Sequence, residues 1–260
     1  LFGVRGLLVD LDGVLYVGDE VIPGAAESLE RIKSAGYPIR GVTNTTTKST
    51  ATLGRRLASL GLPLAPDEIV NAPRAAVQYL RTLDSPTVRL VLSDDAASEF
   101  DEFAVAESGS ESRPDVIVIG DVGPAWDYRL LSELFGHLIE GAALVALHKG
   151  RYYQGPDGLI LDIGGFVSAL EYAASVEAVV IGKPSPRFFQ LAVSDMGLEP
   201  DEVVMIGDDI ESDVGGAQRA GLRGILVKTG KYRDHLVEKS AVMPDMIIES
   251  IADLPRFLGL

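Results

Sequence analysis

The chain has 260 residues, 47% apolar and 23% charged, enough to bury a sizeable core in one large domain or two modest ones. Its net charge of −15 argues against a nucleic-acid or anionic-membrane surface, both of which need clustered Lys and Arg. The absence of cysteine excludes a disulfide framework and a thiolate metal site, and a cytoplasmic setting is expected.

Strand-like and helix-like segments alternate along the chain. "LFGVRGLLVD" leads straight into a strand without a signal-peptide layout, and no apolar run nears the roughly 18 residues of a membrane span. "GLLVDL" reads as a fully buried strand. "AAESLERIKSAG" predicts a helix with Ala25, Leu29 and Ile32 on one face and Gly36 as its stop. "IRGVT" is the next strand. "STATLGRRLASLG" is a helix with Leu53, Leu57 and Leu60 in register, closed by Gly61. In the middle, "TVRLVLSDD", "DVIVIGD", "ALVALHKG" and "DGLILDIG" are candidate strands. "YRLLSELFGHLIEG" and "GFVSALEYAAS" are helices among them, and "ESGSESRP" is a polar loop. After Gly182 the first pattern resumes. "SPRFFQLAVSDMG" is a helix with Ser185 as N-cap, Pro186 at the first position and Gly197 as stop. "EVVMIG" is a strand, "ESDVGGAQRAG" a helix and "GILVKTG" a strand; "DMIIES" and "ADLPRFL" add a short strand and helix.

Continuous apolar strands between amphipathic helices predict an α/β fold, a parallel sheet covered on both faces. The change of grain in the middle predicts an inserted α/β domain over residues 75–178, with residues 1–74 and 179–260 forming the core.

Four strands exit on polar residues: "LLVD" on Asp10, "RGVTN" on Thr43 and Asn44, "VVIGKP" on Lys183, and "VMIGDD" on Asp208 and Asp209. In open α/β sheets ligands bind outside the carboxyl ends of the strands, so neighbouring strands would bring these residues together. With Asp12 and Asp213 that makes five acids and one lysine. Carboxylates so close raise one another's pKa, and a hard divalent cation relieves the cost. Mg²⁺ takes one or two carboxylates and keeps sites for water and phosphate oxygens. Lys183 and the Thr43 hydroxyl would hold a phosphoryl group. The set reads as a phosphoryl-transfer site with an aspartate nucleophile. Taken singly, each residue has a plainer reading. Asp12-Gly13 is a turn signal, Thr43 and Asn44 suit a cap, and Asp208, Asp209 and Asp213 suit a solvated first helical turn. Their joint occurrence in this order is the specific signal.

"DLDGVL", "TNTTTKS", "GKPSP" and "IGDDIESD" resemble, in order, the four motifs of the haloacid dehalogenase-like phosphatases, and the insertion resembles their C2-type cap. "GRYY", "LEYA", "GKPSPRFF", "DVGGAQRAG" and "LVKTGKYR" resemble one branch more closely. That branch contains phospholysine phosphohistidine inorganic pyrophosphate phosphatase and haloacid dehalogenase-like hydrolase domain-containing protein 2; NagD-type enzymes are more distant. The resemblance implies a Rossmann-like core and Asp10 as nucleophile. It implies Asp12 as general acid and then base, and Thr43, Asn44, Lys183 and Gly13 at the phosphoryl group. It places Mg²⁺ on Asp10, the Asp12 carbonyl and Asp208, with Asp209 and Asp213 acting through waters or by orienting Lys183. The expected substrate is a small phosphorylated metabolite, and a homodimer through the cap is a further expectation. A phosphotransferase or mutase using the same intermediate, and a catalytically silent phosphate-binding member, remain alternatives. A response-regulator receiver does not fit, because it has no such insertion and lacks the "DLDG" form.

In the insertion, "LHKGRYYQGPDGLILDIGGF" is the candidate selectivity segment, with Lys149, Arg151, Asp162 and Tyr152 or Tyr153 as contacts. His148 reads as structural, His137 and His235 as surface or helix positions, and Trp126 as a packing anchor.

Overall fold

The computed structural model describes residues 3–109, 112–155 and 158–260. The chain forms two compact units. One comprises residues 1–43, 50–70 and 183–260, and the other residues 44–49 and 71–182.

The first unit is built on a six-stranded sheet. Its order is Met246–Ile248, Arg223–Val227, Val203–Gly207, Gly6–Asp10, Ile39–Thr43 and Ile69–Asn71. Gly6–Asp10 runs parallel to both of its neighbours, with Val9 opposite Ile206 on one side and Asp10 opposite Val42 on the other. Strand residues alternate between faces. Leu7, Val9, Ile39, Val204, Ile206 and Ile225 therefore share one face, where they meet Leu29 and Ile32 of the helix Ala25–Ser34 and Leu53 and Leu57 of the helix Thr50–Ser59. The alternate residues Leu8, Val42, Val203 and Met205 are fully buried as well. Both faces are thus covered, which is why these strands read as unbroken apolar runs. Each fully buried Leu, Ile or Val contributes about 1.5–3 kcal/mol.

The second unit has its own four-stranded sheet, ordered Val179–Val180, Ala143–Ala146, Val116–Ile119 and Val88–Val91, all parallel. The helices Tyr128–Ile139 and Gly164–Ala174 supply Leu134, Leu138, Val167 and Leu170 to a core with Ile117, Ile119 and Leu144. Trp126 stacks on Phe166 with ring centroids 4.6 Å apart.

Three details depart from the sequence expectations. Residues Gly158–Leu161 of "DGLILDIG" pair with Tyr152–Gly155 in an antiparallel hairpin and stay outside the four-stranded sheet. The sheet takes Val179–Val180 instead, so the second unit ends at Gly182 and not at 178. Its long segment begins at Asn71, whose side chain accepts from the Arg74 amide and caps the helix Ala72–Leu80 that follows. The first five residues of "ESDVGGAQRAG" belong to a π-helix, Ile210–Gly215. The Asp209 carbonyl accepts from both the Asp213 and Val214 amides, the shared bonding of a wide turn.

Candidate active site

The strand order of the first unit changes direction at Gly6–Asp10, the switch point at which a crevice opens beyond the carboxyl ends of the strands. Asp10 ends this strand, and Asp208 follows immediately on the next one. Carboxylate oxygens of Asp10, Asp208 and Asp213 lie within 4.8 Å of one another. All three are buried, at 6%, 1% and 1% exposure. Lys183, also buried, donates from Nζ to Asp10 Oδ1 at 2.8 Å and to Asp213 Oδ1 at 2.7 Å.

One ammonium is thus bonded to two carboxylates and acts on the third only at a distance. Burial, with Asp213 and Asp208 close by, raises the Asp10 pKa to about 7 against the pull of Lys183. Burial and Asp213 raise Asp208 to about 6, although the Lys231 amide opposes this. Burial alone would lower Lys183, but the Asp10 and Asp213 carboxylates more than reverse it, so the lysine stays charged. The two directions agree physically: the cation is over-compensated and the acids are not.

The Asp208 carboxylate is held by an unusual cradle. Oδ2 accepts from the Lys231 amide at 2.7 Å, whereas Oδ1 is buried without a hydrogen-bond partner among the described residues. Gly13, at φ +89°, and Gly230, at φ +60°, enclose it. A Cβ on Gly13 would stand 1.9 Å from Asp208 Oδ2, and one on Gly230 would stand 2.1 Å from it. Gly13 thus makes room for an acid, and Thr229 fixes it by donating to the Gly13 carbonyl. An orphaned anionic oxygen beside two further carboxylates suits a hard cation, and the donor set is all oxygen.

The other expected residues take distinct places. Asp12 has left the strand and is exposed, two residues beyond the buried Asp10. Thr43 ends the strand paired with Gly6–Asp10 and is 7% exposed. Asn44 belongs to the 44–49 segment of the second unit, where its Oδ1 stands 2.8 Å from the Cβ position of Gly182. Asp209 is a cap: its Oδ1 accepts from the Glu211 and Ser212 amides. Asp213 is more central than expected. One oxygen orients Lys183, the other accepts from the Asp209 amide, and the residue belongs to the acid cluster itself. Gly230 and the Lys231 amide were not anticipated. Their signal was the "TG" ending the strand-like "GILVKTG".

In the second unit, Lys149 is paired with Glu171 at 2.6 Å. Asp162 accepts from the Ile163 amide and faces His148 Nε2 at 3.5 Å. His148 Nδ1 accepts from the Gly150 amide, and burial lowers the imidazole pKa. Arg151 stands over the exposed Tyr152 ring. The Tyr153 side chain lies outside the described residues.

The comparisons with known proteins agree with this geometry. The family model "Haloacid dehalogenase-like hydrolase" matches residues 7–106, and a HAD-hydrolase-like model matches residues 180–254. Haloacid dehalogenase-like hydrolase domain-containing protein 2 of Bos taurus is 42% identical over 249 residues, 95% of this chain and 93% of that protein. Phospholysine phosphohistidine inorganic pyrophosphate phosphatase of Bos taurus is 40% identical over 259 residues, 97% of this chain and 93% of that protein. Among solved structures, the p-nitrophenyl phosphatase from Archaeoglobus fulgidus superposes with a TM-score of 0.88 at 26% identity, covering 98% of this chain and 99% of that one. The chain belongs to the haloacid dehalogenase-like hydrolases. Within them it is an enzyme of the phosphatase kind.

Proposed function

We propose that the protein hydrolyses a small phosphorylated metabolite through an aspartyl-phosphate, with Mg²⁺ as cofactor. The observation that carries this reading is the buried, partnerless Asp208 Oδ1 beside Asp10, Asp213 and the Lys183 ammonium. Lys183 engages Asp10 Oδ1, leaving Oδ2 to attack phosphorus. As that bond forms, the bond from phosphorus to the leaving oxygen breaks, and Asp12 gives that oxygen its proton. Asp12 is exposed, two residues beyond Asp10. It then takes a proton from a water that attacks the phosphorus of the aspartyl-phosphate, releasing inorganic phosphate and the Asp10 carboxylate. Thr43, Asn44 and Lys183 hold the phosphoryl oxygens. Mg²⁺ held by Asp10, Asp208 and the Asp12 carbonyl would neutralise the clustered carboxylates and the phosphate.

The reading extends to a cytoplasmic enzyme and to a homodimer through the second unit, whose hairpin exposes Tyr152, Leu159 and Leu161. The test is hydrolysis of 4-nitrophenyl phosphate with Mg²⁺ or EDTA. Turnover is expected only with Mg²⁺. Asp10→Asn should lower kcat by at least about 10⁴-fold, as expected for loss of a nucleophile. Asp12→Asn should cost about 10²–10⁴-fold. Unchanged turnover in Asp10→Asn would refute the mechanism. Trapping of phosphate on Asp10, with transfer only to an added acceptor, would favour a phosphotransferase.

A further inference from the structure

The segment 44–49 leaves a strand of the first unit at Thr43 and enters a helix of that unit at Thr50, yet it belongs to the second unit. Hydrogen bonds tie it there. The Ser93 hydroxyl donates to the Thr47 carbonyl at 2.9 Å, and Asn71 Nδ2 donates to the Lys48 carbonyl at 2.6 Å. Asp95 engages both donors of Ser49: Oδ2 accepts from its amide at 3.1 Å, and Oδ1 accepts from its hydroxyl at 2.9 Å. Consecutive residues of the loop, Thr47, Lys48 and Ser49, are thus held by side chains from residues 71, 93 and 95.

The holders are themselves fixed. Asn71 and Ser93 are helix caps, and each turns its second function to the loop. Asn71 Oδ1 accepts from the Arg74 amide while Nδ2 faces Lys48. Ser93 Oγ accepts from the Ala96 amide while its hydrogen goes to Thr47. Asp95 lies in the first turn of the short helix Asp94–Ala97 that Ser93 caps. Asn71 and Ser49 are buried, which shields these bonds from competing water. A carboxylate that accepts from two donors of one residue makes a charge-assisted, two-point tether, stronger than the neutral bonds beside it. Only residues 44–46 then separate the tethered Thr47 from Thr43, which ends its strand.

We propose that Asp95, with Ser93 in support, is a positioning residue for phosphoryl binding: it holds the loop 44–49 in the shape that presents Asn44 next to Thr43. This rests on the functional reading above, in which Thr43 and Asn44 hold phosphoryl oxygens. Asp95 acts through Ser49 and touches neither substrate nor metal. A loop that is already fixed loses little freedom when phosphate binds, so the tether favours the bound ground state and the transition state alike. Such uniform binding shows in KM and leaves kcat in place. The acids that would hold Mg²⁺ are arranged by other groups, Lys183 and the Lys231 amide, so metal affinity should not depend on Asp95.

The test uses the full chain with Mg²⁺, 4-nitrophenyl phosphate as substrate and inorganic phosphate as a second probe. Asp95→Ala should raise KM and the dissociation constant of phosphate by the same factor, about tenfold, with kcat within about threefold of the unmutated value. Mg²⁺ affinity by titration calorimetry should not change. Asp95→Asn keeps an acceptor for the Ser49 amide and a partner for its hydroxyl, so it should restore most of the loss. Ser93→Ala removes one hydroxyl and no charge; it should weaken phosphate about threefold, and it decides the matter where Asp95→Ala does not fold. Asp94→Ala, at an exposed acid in the same helical turn, should change nothing. Unchanged KM and phosphate binding in Asp95→Ala overturn the proposal. So does a loss shared by kcat, phosphate and Mg²⁺ that Asp95→Asn does not restore, because that marks general destabilisation. If the unmutated protein neither binds phosphate nor turns over substrate, the phosphatase reading itself has failed; if it does both and the Asp95 variant matches it, only the positioning role has.

Discussion

Burial, with Asp213 and Asp208 close by and one ammonium opposing, makes Asp10 an acid whose folded state favours the proton. Its pKa rises from 3.8 to about 7, so the stability it contributes is complete below about pH 4 and is lost as pH climbs through 7. Asp208, raised to about 6, acts in the same direction. The metal-free protein should therefore melt at progressively lower temperature from pH 4 to pH 8. A divalent cation, which binds the ionised acids, should raise the melting temperature more at pH 8 than at pH 5. Scanning calorimetry with Mg²⁺ or EDTA checks this, and an equal gain at both pH values would contradict it. Lys183 is the reverse case: its charge is required. Lys183→Ala leaves buried carboxylates without their cation and should destabilise the metal-free fold by about 3–5 kcal/mol at pH 8, measured by urea unfolding.

At the scale of elements, the position of Asp208 depends on two turns from different parts of the chain. Gly13 and Gly230 approach its carboxylate where no Cβ fits. Gly230→Ala should displace Asp208 and lower Mg²⁺ affinity at least about tenfold, or 1.4 kcal/mol, by titration calorimetry. Unchanged affinity would show that the cradle is dispensable. This scale also divides what was legible in sequence from what was not. Asp10, Thr43, Lys183 and Asp208 stand out because an apolar strand ends on each, and strand ends converge by topology alone. Asp213 sits in a helix, where inward and outward acids look alike; its orienting of Lys183 came from the family resemblance, and its place in the acid cluster depends on a π-turn that sequence periodicity does not encode. Gly230 and the Lys231 amide act through backbone and through missing atoms, so no side-chain chemistry marks them. The hairpin from Tyr152 was missed because its partner strand, "GLIL", reads as a core strand although its side chains at Leu159 and Leu161 are exposed.

At the scale of the molecule, each unit owns its sheet and its core. Leu134→Ala in the second unit should cost that unit about 2–5 kcal/mol, the range for a buried leucine truncation. Amides of Val203–Gly207 in the first unit should keep their protection under the same conditions. Native-state hydrogen exchange on the variant tests this, and equal loss in both units would mean that they unfold as one. The insertion also sets an order of events during synthesis. Asp10 and Lys183 bond across 173 residues of sequence, and Gly6–Asp10 pairs on one side with Val203–Gly207. Every residue of the second unit has been synthesised once Gly182 is added, before that partner strand exists. During that interval one long edge of Gly6–Asp10 stands open in the nascent chain. A translational pause just after residue 182 would lengthen the exposure of the nucleophile's strand.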